Sequence, residues 1–199
     1  MSNRKASLER ATGETKVTVE VDLDGAGRHE VSTGLTMLDH MLSQLARHGA
    51  FDIRVTATCQ TDPDGHHVVE DVAILLGRAF GQALGERKGI ARMAHAVVPL
   101  DEALAMVVVD VGGRGYAVVD TPFGAETVGD LTPDLARHFL ETFALEGKFN
   151  LHAKFLAGVN DHHKIEALFK ALARALDAAT RVDPRIADQV PSTKGVIES

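Results

Sequence analysis

The chain has 199 residues, enough for one domain or two small ones to bury a proper core. Its 45% apolar and 25% charged residues are the proportions of an ordinary globular protein, and its net charge of −7 argues against a general nucleic-acid binder. The lone Cys59 excludes an internal disulfide and a cysteine-built zinc site, and fits a reducing compartment.

The opening Met-Ser-Asn-Arg-Lys leads into a polar strand without the apolar segment of a signal peptide. No run approaches a membrane span, so a cytoplasmic protein with no membrane partner is expected. Lys16 to Leu23 alternates apolar and polar residues and reads as a half-buried strand, turned by Asp24-Gly25. A short strand around His29 to Ser32 follows. Leu35 to Arg47 places apolar residues at 35, 38, 42 and 45 and stops at Gly49, as a capped helix does. Phe51 to Thr58 is a third strand, Asp62 to Gly65 a loop, and His67 to Leu84 a helix ending in Gly85. The second half repeats this order. Leu104 to Val111 and Tyr116 to Asp120 read as strands and Pro133 to Leu145 as a helix; Phe149 to Leu156 is a further strand and His162 to Thr180 a further helix.

Each half therefore reads β-β-α-β-α, an α+β class with mainly antiparallel sheets and the helices sandwiched between them. Residues 1–87 form the first half of a duplication, 88–182 the second, and 183–199 an aperiodic tail with Pro184, Pro191 and Gly195. The link Glu86 to Ile90 is short, so the halves must pack directly on each other as one compact unit.

The repeat carries its chemistry in a doubled motif. His66-His67-Val-Val-Glu70 is echoed by His162-His163-Lys-Ile-Glu166, and each copy follows another histidine, His40 or His138, at a similar distance. On a helix, His66 lies one turn from Glu70 on a single face, while His67 is turned away by about 100°, so one cluster can serve two different ions. Imidazole with carboxylate suits a divalent transition ion such as Mn, Fe or Zn. Burying adjacent imidazoles and a carboxylate for structure alone is costly, and doing so twice in register points to metal. The match extends outward: Glu14 and the strand after it correspond to Glu102 and the strand after it, and Arg78 to Arg174. His29, His95 and His152 read as solvated or hydrogen-bonded side chains. Arg92, Arg114 between glycines, Lys170 and Ser192-Thr193-Lys194-Gly195 suggest a phosphate-recognition set. Two nitrogen-rich metal sites could support hydrolysis of a phosphate ester, redox chemistry or Lewis-acid activation of a bound substrate. A metal-storing shell is the remaining alternative, although strands between the helices disfavour a ferritin-like bundle.

Five segments resemble one family closely. They are Gly34-Leu-Thr-Met-Leu-Asp-His-Met-Leu-Ser-Gln-Leu-Ala-Arg-His48, Asp64-Gly-His-His-Val-Val-Glu-Asp71, Pro99-Leu-Asp-Glu-Ala-Leu104, Asn160-Asp-His-His-Lys-Ile-Glu-Ala-Leu-Phe-Lys-Ala-Leu-Ala-Arg174 and Pro191-Ser-Thr-Lys-Gly-Val196. Together they resemble the imidazoleglycerol-phosphate dehydratases of histidine biosynthesis, with Thr36-Met37 where the family has Pro-Phe and with Asp161 as a second departure. The resemblance implies two fused ferredoxin-like halves of the ribosomal protein S5 domain 2 type. It also implies a shell of twenty-four subunits with active sites at subunit interfaces and two Mn²⁺ per site. One ion would take His40, His67, His162 and Glu166, and the other His66, Glu70, His138 and His163, drawn from different subunits. Water would be lost from imidazoleglycerol phosphate through a metal-bound imidazolate and a diazafulvene-like intermediate, giving imidazoleacetol phosphate. Glu14 would transfer protons, with Glu166 and His48 as rivals. The substrate would also meet His40, His48, His66, Glu70 and His162, its phosphate held by Arg92, Arg114, Lys170, Ser192, Thr193 and Lys194.

Overall fold

The computed structural model describes residues 4–60, 62 and 64–197. The first half contains β1 (Lys5–Ala11), β2 (Thr15–Asp22), β3 (His29–Ser32), α1 (Thr36–Gly49), β4 (Asp52–Cys59) and α2 (His66–Leu84). The second contains β5 (Met93–Leu100), β6 (Ala103–Asp110), β7 (Tyr116–Asp120), α3 (Pro133–Glu146), β8 (Asn150–Ala157) and α4 (Asp161–Thr180). Each half forms a four-stranded sheet, in the orders β1-β2-β4-β3 and β5-β6-β8-β7, so the two have one topology.

The expected α+β class and the sandwiched helices hold, and each half gains a strand at its start. β1 is an edge strand whose only apolar residues toward the core are Ala6 and Leu8, which leaves little alternation to read. β5 is apolar on both faces, which conceals its period of two. Both sheets are mixed. β1-β2 and β2-β4 pair antiparallel, whereas β3 and β4 pair parallel because α1 lies between them as a crossover, and the second sheet repeats this. In β2 the buried positions Val17, Val19 and Val21 face the helices, the pattern of a sheet covered on one side.

All four helices lie between the sheets. α1 packs on α4 and α2 on α3, so each helix pair joins the two halves. Gly77 makes the second approach possible: a Cβ there would lie 2.9 Å from Glu146 Cβ and from the Phe143 carbonyl. Phe51, Phe80, Phe139, Phe143, Phe149 and Phe169 are fully buried and belong to one cluster drawn from both halves. Phe143 touches three of these rings, at centroid distances of 5.8 Å to Phe80, 5.8 Å to Phe139 and 5.2 Å to Phe149. The halves are also tied by a cap. Leu35 cannot cap α1, and the Asp130 carboxylate instead accepts from Thr36 N at 2.6 Å and Met37 N at 2.8 Å. Asn160 caps α4 through His162 N and His163 N.

Phe143→Ala should destabilise the protein by about 3–5 kcal/mol, because it opens a cavity where both halves meet. Urea unfolding of chelator-treated protein, followed by circular dichroism, measures this as a lowered midpoint.

Candidate functional site

The doubled His-His-x-x-Glu motif occupies the first turns of α2 and α4, and in each helix pair the partner helix brings one more histidine. His40 on α1 joins His162 and Glu166 on α4, with one ligand-capable atom from each residue lying within 4.8 Å of the others. His66 and Glu70 on α2 join His138 on α3 in the same way. In the first triad Glu166 Oε2 stands 3.4 Å from both His40 Nε2 and His162 Nε2. In the second, His138 Nε2 stands 3.6 Å from Glu70 Oε1, and the rings of His66 and His138 stack with centroids 5.1 Å apart.

Two imidazoles and a carboxylate converging at this spacing suit a divalent ion with nitrogen and oxygen ligands. His138 Nε2 is buried with no hydrogen-bond partner among the described residues, although such an atom normally has one. The residues therefore fit a metal ion, with three donors in each triad.

His67 and His163 are absent from both triads. His67 turns its Nε2 toward Glu14, 3.7 Å from Oε2, and its Nδ1 toward Asp62, 3.8 Å from Oδ1. His163 shares its Nδ1 with Glu102 Oε2 at 2.8 Å. Six of the eight expected ligands thus meet within one chain and two do not. Glu102 and Asp62, which stand beside these two histidines, are not among the expected site residues. The match of Glu102 to Glu14 in the repeat was the signal for the first, and the loop position of Asp62 offered none.

Charge is tuned around these groups. The hydrogen bond from His163, aided by backbone N–H donors, holds the Glu102 carboxyl down at about 2, and Glu102 in turn raises His163. Burial opposes ionisation of Glu166, but Lys170 at 2.6 Å and His40 outweigh it and keep the carboxyl below its usual range. His48, in the last turn of α1, is lowered by burial and by the nearby Lys170 ammonium. Lys170 therefore acts within this chain as the partner of Glu166.

The remaining phosphate candidates gather elsewhere. Arg92 Nε donates to Asp110 Oδ1 at 2.7 Å, and its Nη1 donates to the Pro191 carbonyl at 2.8 Å, which fastens the tail before Ser192. Ser192 to Gly195 forms a turn in which the Ser192 hydroxyl accepts from Lys194 N and the Ser192 carbonyl accepts from Gly195 N. Thr193 and Lys194 are exposed, as is Arg114, one residue beyond the Gly113 that donates to the Lys148 carbonyl. Arg92 N donates to the Ala179 carbonyl near the far end of α4. The helix from Glu166 to Ala179 spans roughly 20 Å at about 1.5 Å per residue. Arg92 and the start of the tail thus sit at the opposite end of α4 from Glu166.

Residues 33–176 match the family model described as imidazoleglycerol-phosphate dehydratase. The imidazoleglycerol-phosphate dehydratase of Dehalococcoides mccartyi strain 195 is 59% identical over 199 residues, which is all of both chains. That of Halobacterium salinarum is 52% identical over 195 residues, covering 98% of this chain and 99% of the relative. Among solved structures, the Pyrococcus furiosus dehydratase superposes with a TM-score of 0.81 at 35% identity, covering 95% of this chain and 99% of that one. The Staphylococcus aureus enzyme gives 0.80 at 28%, covering 90% and 99%.

His66→Ala and His162→Ala each remove one corner of a triad and should lower divalent-ion content, measured by elemental analysis after dialysis. Glu102→Ala should weaken ion binding about 10–100-fold, because an unoriented His163 is a poorer ligand; titration calorimetry with Mn²⁺ measures this.

Proposed function

The chain belongs to the imidazoleglycerol-phosphate dehydratase family, the hydro-lyases of histidine biosynthesis, and on that premise we propose that its active site is built by several subunits around two Mn²⁺ ions. His40, His162 and Glu166 would hold one ion with His67 of another subunit. His66, Glu70 and His138 would hold the second with His163 of another subunit. One observation carries this reading: each triad gathers three donors, one short of a four-coordinate site, while the remaining histidine of each motif pairs instead with Glu14 or Glu102. Completing both sites with protein ligands would draw on neighbouring subunits, which suits the closed shell of twenty-four that the family resemblance implies.

The outer sheet faces support self-association as well. In the first sheet that face carries Lys5, Glu9 and Glu20, whereas the same register in the second carries Met93, Val97 and Val108. With Tyr116 at 65% and Val118 at 42% exposure, these residues make an apolar face that water disfavours. It gives the subunits a contact that needs no metal. No described helix is long and apolar enough to cross a membrane.

The reaction expels the hydroxyl on the carbon next to the imidazole ring as water and removes the proton from the following carbon, where no carbonyl makes it acidic. Bound ions would supply Lewis-acid polarisation of the ring. Glu14 takes the proton-transfer role in this reading: its carboxylate is exposed, accepts no hydrogen bond among the described residues, and stands beside His67. It therefore arrives at the neighbour's triad together with that ligand. Glu166 is already committed to two imidazoles and Lys170. His48, kept neutral by its surroundings, can accept a proton and remains the second candidate. Arg92 has two N–H donors beyond its bonds to Asp110 and Pro191, and with Arg114, Ser192, Thr193 and Lys194 would hold the phosphate of a site completed by another subunit.

Mn²⁺-loaded protein given imidazoleglycerol phosphate should form the enol and ketone, followed by absorbance, without releasing inorganic phosphate; phosphate release would mark a hydrolase instead. Exhaustive chelation should shrink the assembly to small species such as trimers, which regain size and activity with Mn²⁺. An elution profile unchanged after verified metal removal would contradict the shared sites.

Lys194→Ala should lose a charge-assisted contact worth about 1.5–3 kcal/mol, raising KM roughly tenfold or more with metal content and assembly intact. Steady-state kinetics with elemental analysis checks both halves of the expectation.

A further inference from the structure

The two halves share a topology, and β1-β2 and β5-β6 share a register, so side chains there have counterparts, although β6-β8 shifts register between Leu104 and Ala105 where β2-β4 does not. Glu14 and Glu102 occupy the same place, directly before β2 and β6. Their surroundings differ. Glu102 accepts from Val159 N at 3.2 Å, Asn160 N at 2.8 Å and His163 Nδ1 at 2.8 Å, which commits both carboxylate oxygens. Glu14 is held the other way round, by its backbone. Its N–H donates to Thr12 Oγ1 at 3.1 Å, and its carbonyl accepts from Gln60 N at 3.3 Å and Cys59 Sγ at 3.2 Å.

A second difference lies beneath Glu14. Thr15 donates its hydroxyl to Asp71 Oδ2, and Arg10 Nε donates to Asp71 Oδ1 at 2.7 Å. Thr15 is 3% and Asp71 6% exposed, so this is a buried polar link between the start of β2 and the first turns of α2. The counterparts are fixed by register. Arg10 stands opposite Val17 and Val98 opposite Ala105; Thr15 opens β2 as Ala103 opens β6; Asp71 follows Glu70 as Ala167 follows Glu166. Where the first half buries Thr15 and Asp71 beneath a half-buried Arg10, the second has Ala103 and Ala167, both fully buried, with Val98 partly buried.

The second half thus shows that this fold fills the position well with apolar side chains. Burying the Asp71 carboxylate carries a desolvation cost that such apolar packing avoids, so stability does not account for the polar version. We infer that Asp71, acting through Thr15 and Arg10, is a positioning residue for Glu14, locking the strand end that carries Glu14 to the helix that carries His66, His67 and Glu70. The link keeps a free carboxylate at a fixed distance from the ligand it travels with, while the bonded Glu102 orients His163. This rests on Glu14 as the proton-transfer group, as proposed above.

The test writes the second half into the first: Arg10→Val, Thr15→Ala and Asp71→Ala together, measured on Mn²⁺-loaded, assembled protein. Assembly size and metal content should be retained and KM little changed, while kcat falls about 100-fold, the scale expected for a displaced reacting group. Placed on top of Glu14→Gln, the same changes should cost almost nothing further, since there is no carboxylate left to position. An unchanged kcat, with Glu14→Gln inactive, overturns the inference and leaves the role of Glu14 standing. An active Glu14→Gln overturns that role and the inference with it. Should the triple change fail to assemble, Thr15→Ala and Thr15→Ser decide: the serine is expected to keep kcat near normal and the alanine to lower it, and equal rates overturn the inference.

Discussion

Everything in this fold follows from how the four helices find their second partners. A sheet covered on one face by two helices leaves those helices with an uncovered side, and here each half covers the other. α1 lies on α4 and α2 on α3, and Phe51, Phe80, Phe139, Phe143 and Phe169 fill the space between. The same crossing creates the candidate metal sites. A histidine partway along one helix is brought to the opening turns of a helix from the other half, once as His40 with His162 and Glu166, once as His138 with His66 and Glu70. Neither triad exists within one half.

The sequence made much of this readable because the chemistry was duplicated. His66, His67 and Glu70 could be paired with His162, His163 and Glu166 without any structure, and a helix period explained why adjacent histidines part company. The alternation in β2 and the apolar spacing in α1 were equally plain. What could not be read follows from the same physics. β1 has too few inward apolar residues to show a period, and β5 has apolar residues on both faces. The parallel pairing of β3 with β4 depends on a crossover that only the arrangement of the whole sheet reveals. Glu102 was visible as the repeat of Glu14, yet its bond to His163 belongs to three dimensions. Nor could spacing show that Arg92 and the tail sit at the far end of α4 from the triads of the same chain.

Duplication also left a record of divergence. Copies that begin alike can be specialised by changing what surrounds a residue. Glu14 and Glu102 are one amino acid in one register, but the first has a fixed backbone and an open carboxylate while the second is fully bonded. The outer sheet faces have parted in the same way, with Lys5, Glu9 and Glu20 in the first half matched by Met93, Val97 and Val108 in the second. Open and bonded carboxylates, and charged and apolar surface positions, have thus been apportioned between halves whose core architecture stays common.

The crossing of the helix pairs has a further consequence for the ancestry and physical behaviour of the chain. Because α1 meets the counterpart of α2, and α2 the counterpart of α1, two identical halves would bind each other through a self-complementary twofold interface and form both triads between them. The link from Glu86 to Ile90 makes that dimer a single molecule. Its effect is one of concentration: the partner half is always present, so triad formation within the chain is immune to dilution. A chain cut within this link would form each triad only while its fragments stayed together, and its hold on an ion would vary with the amount of protein present.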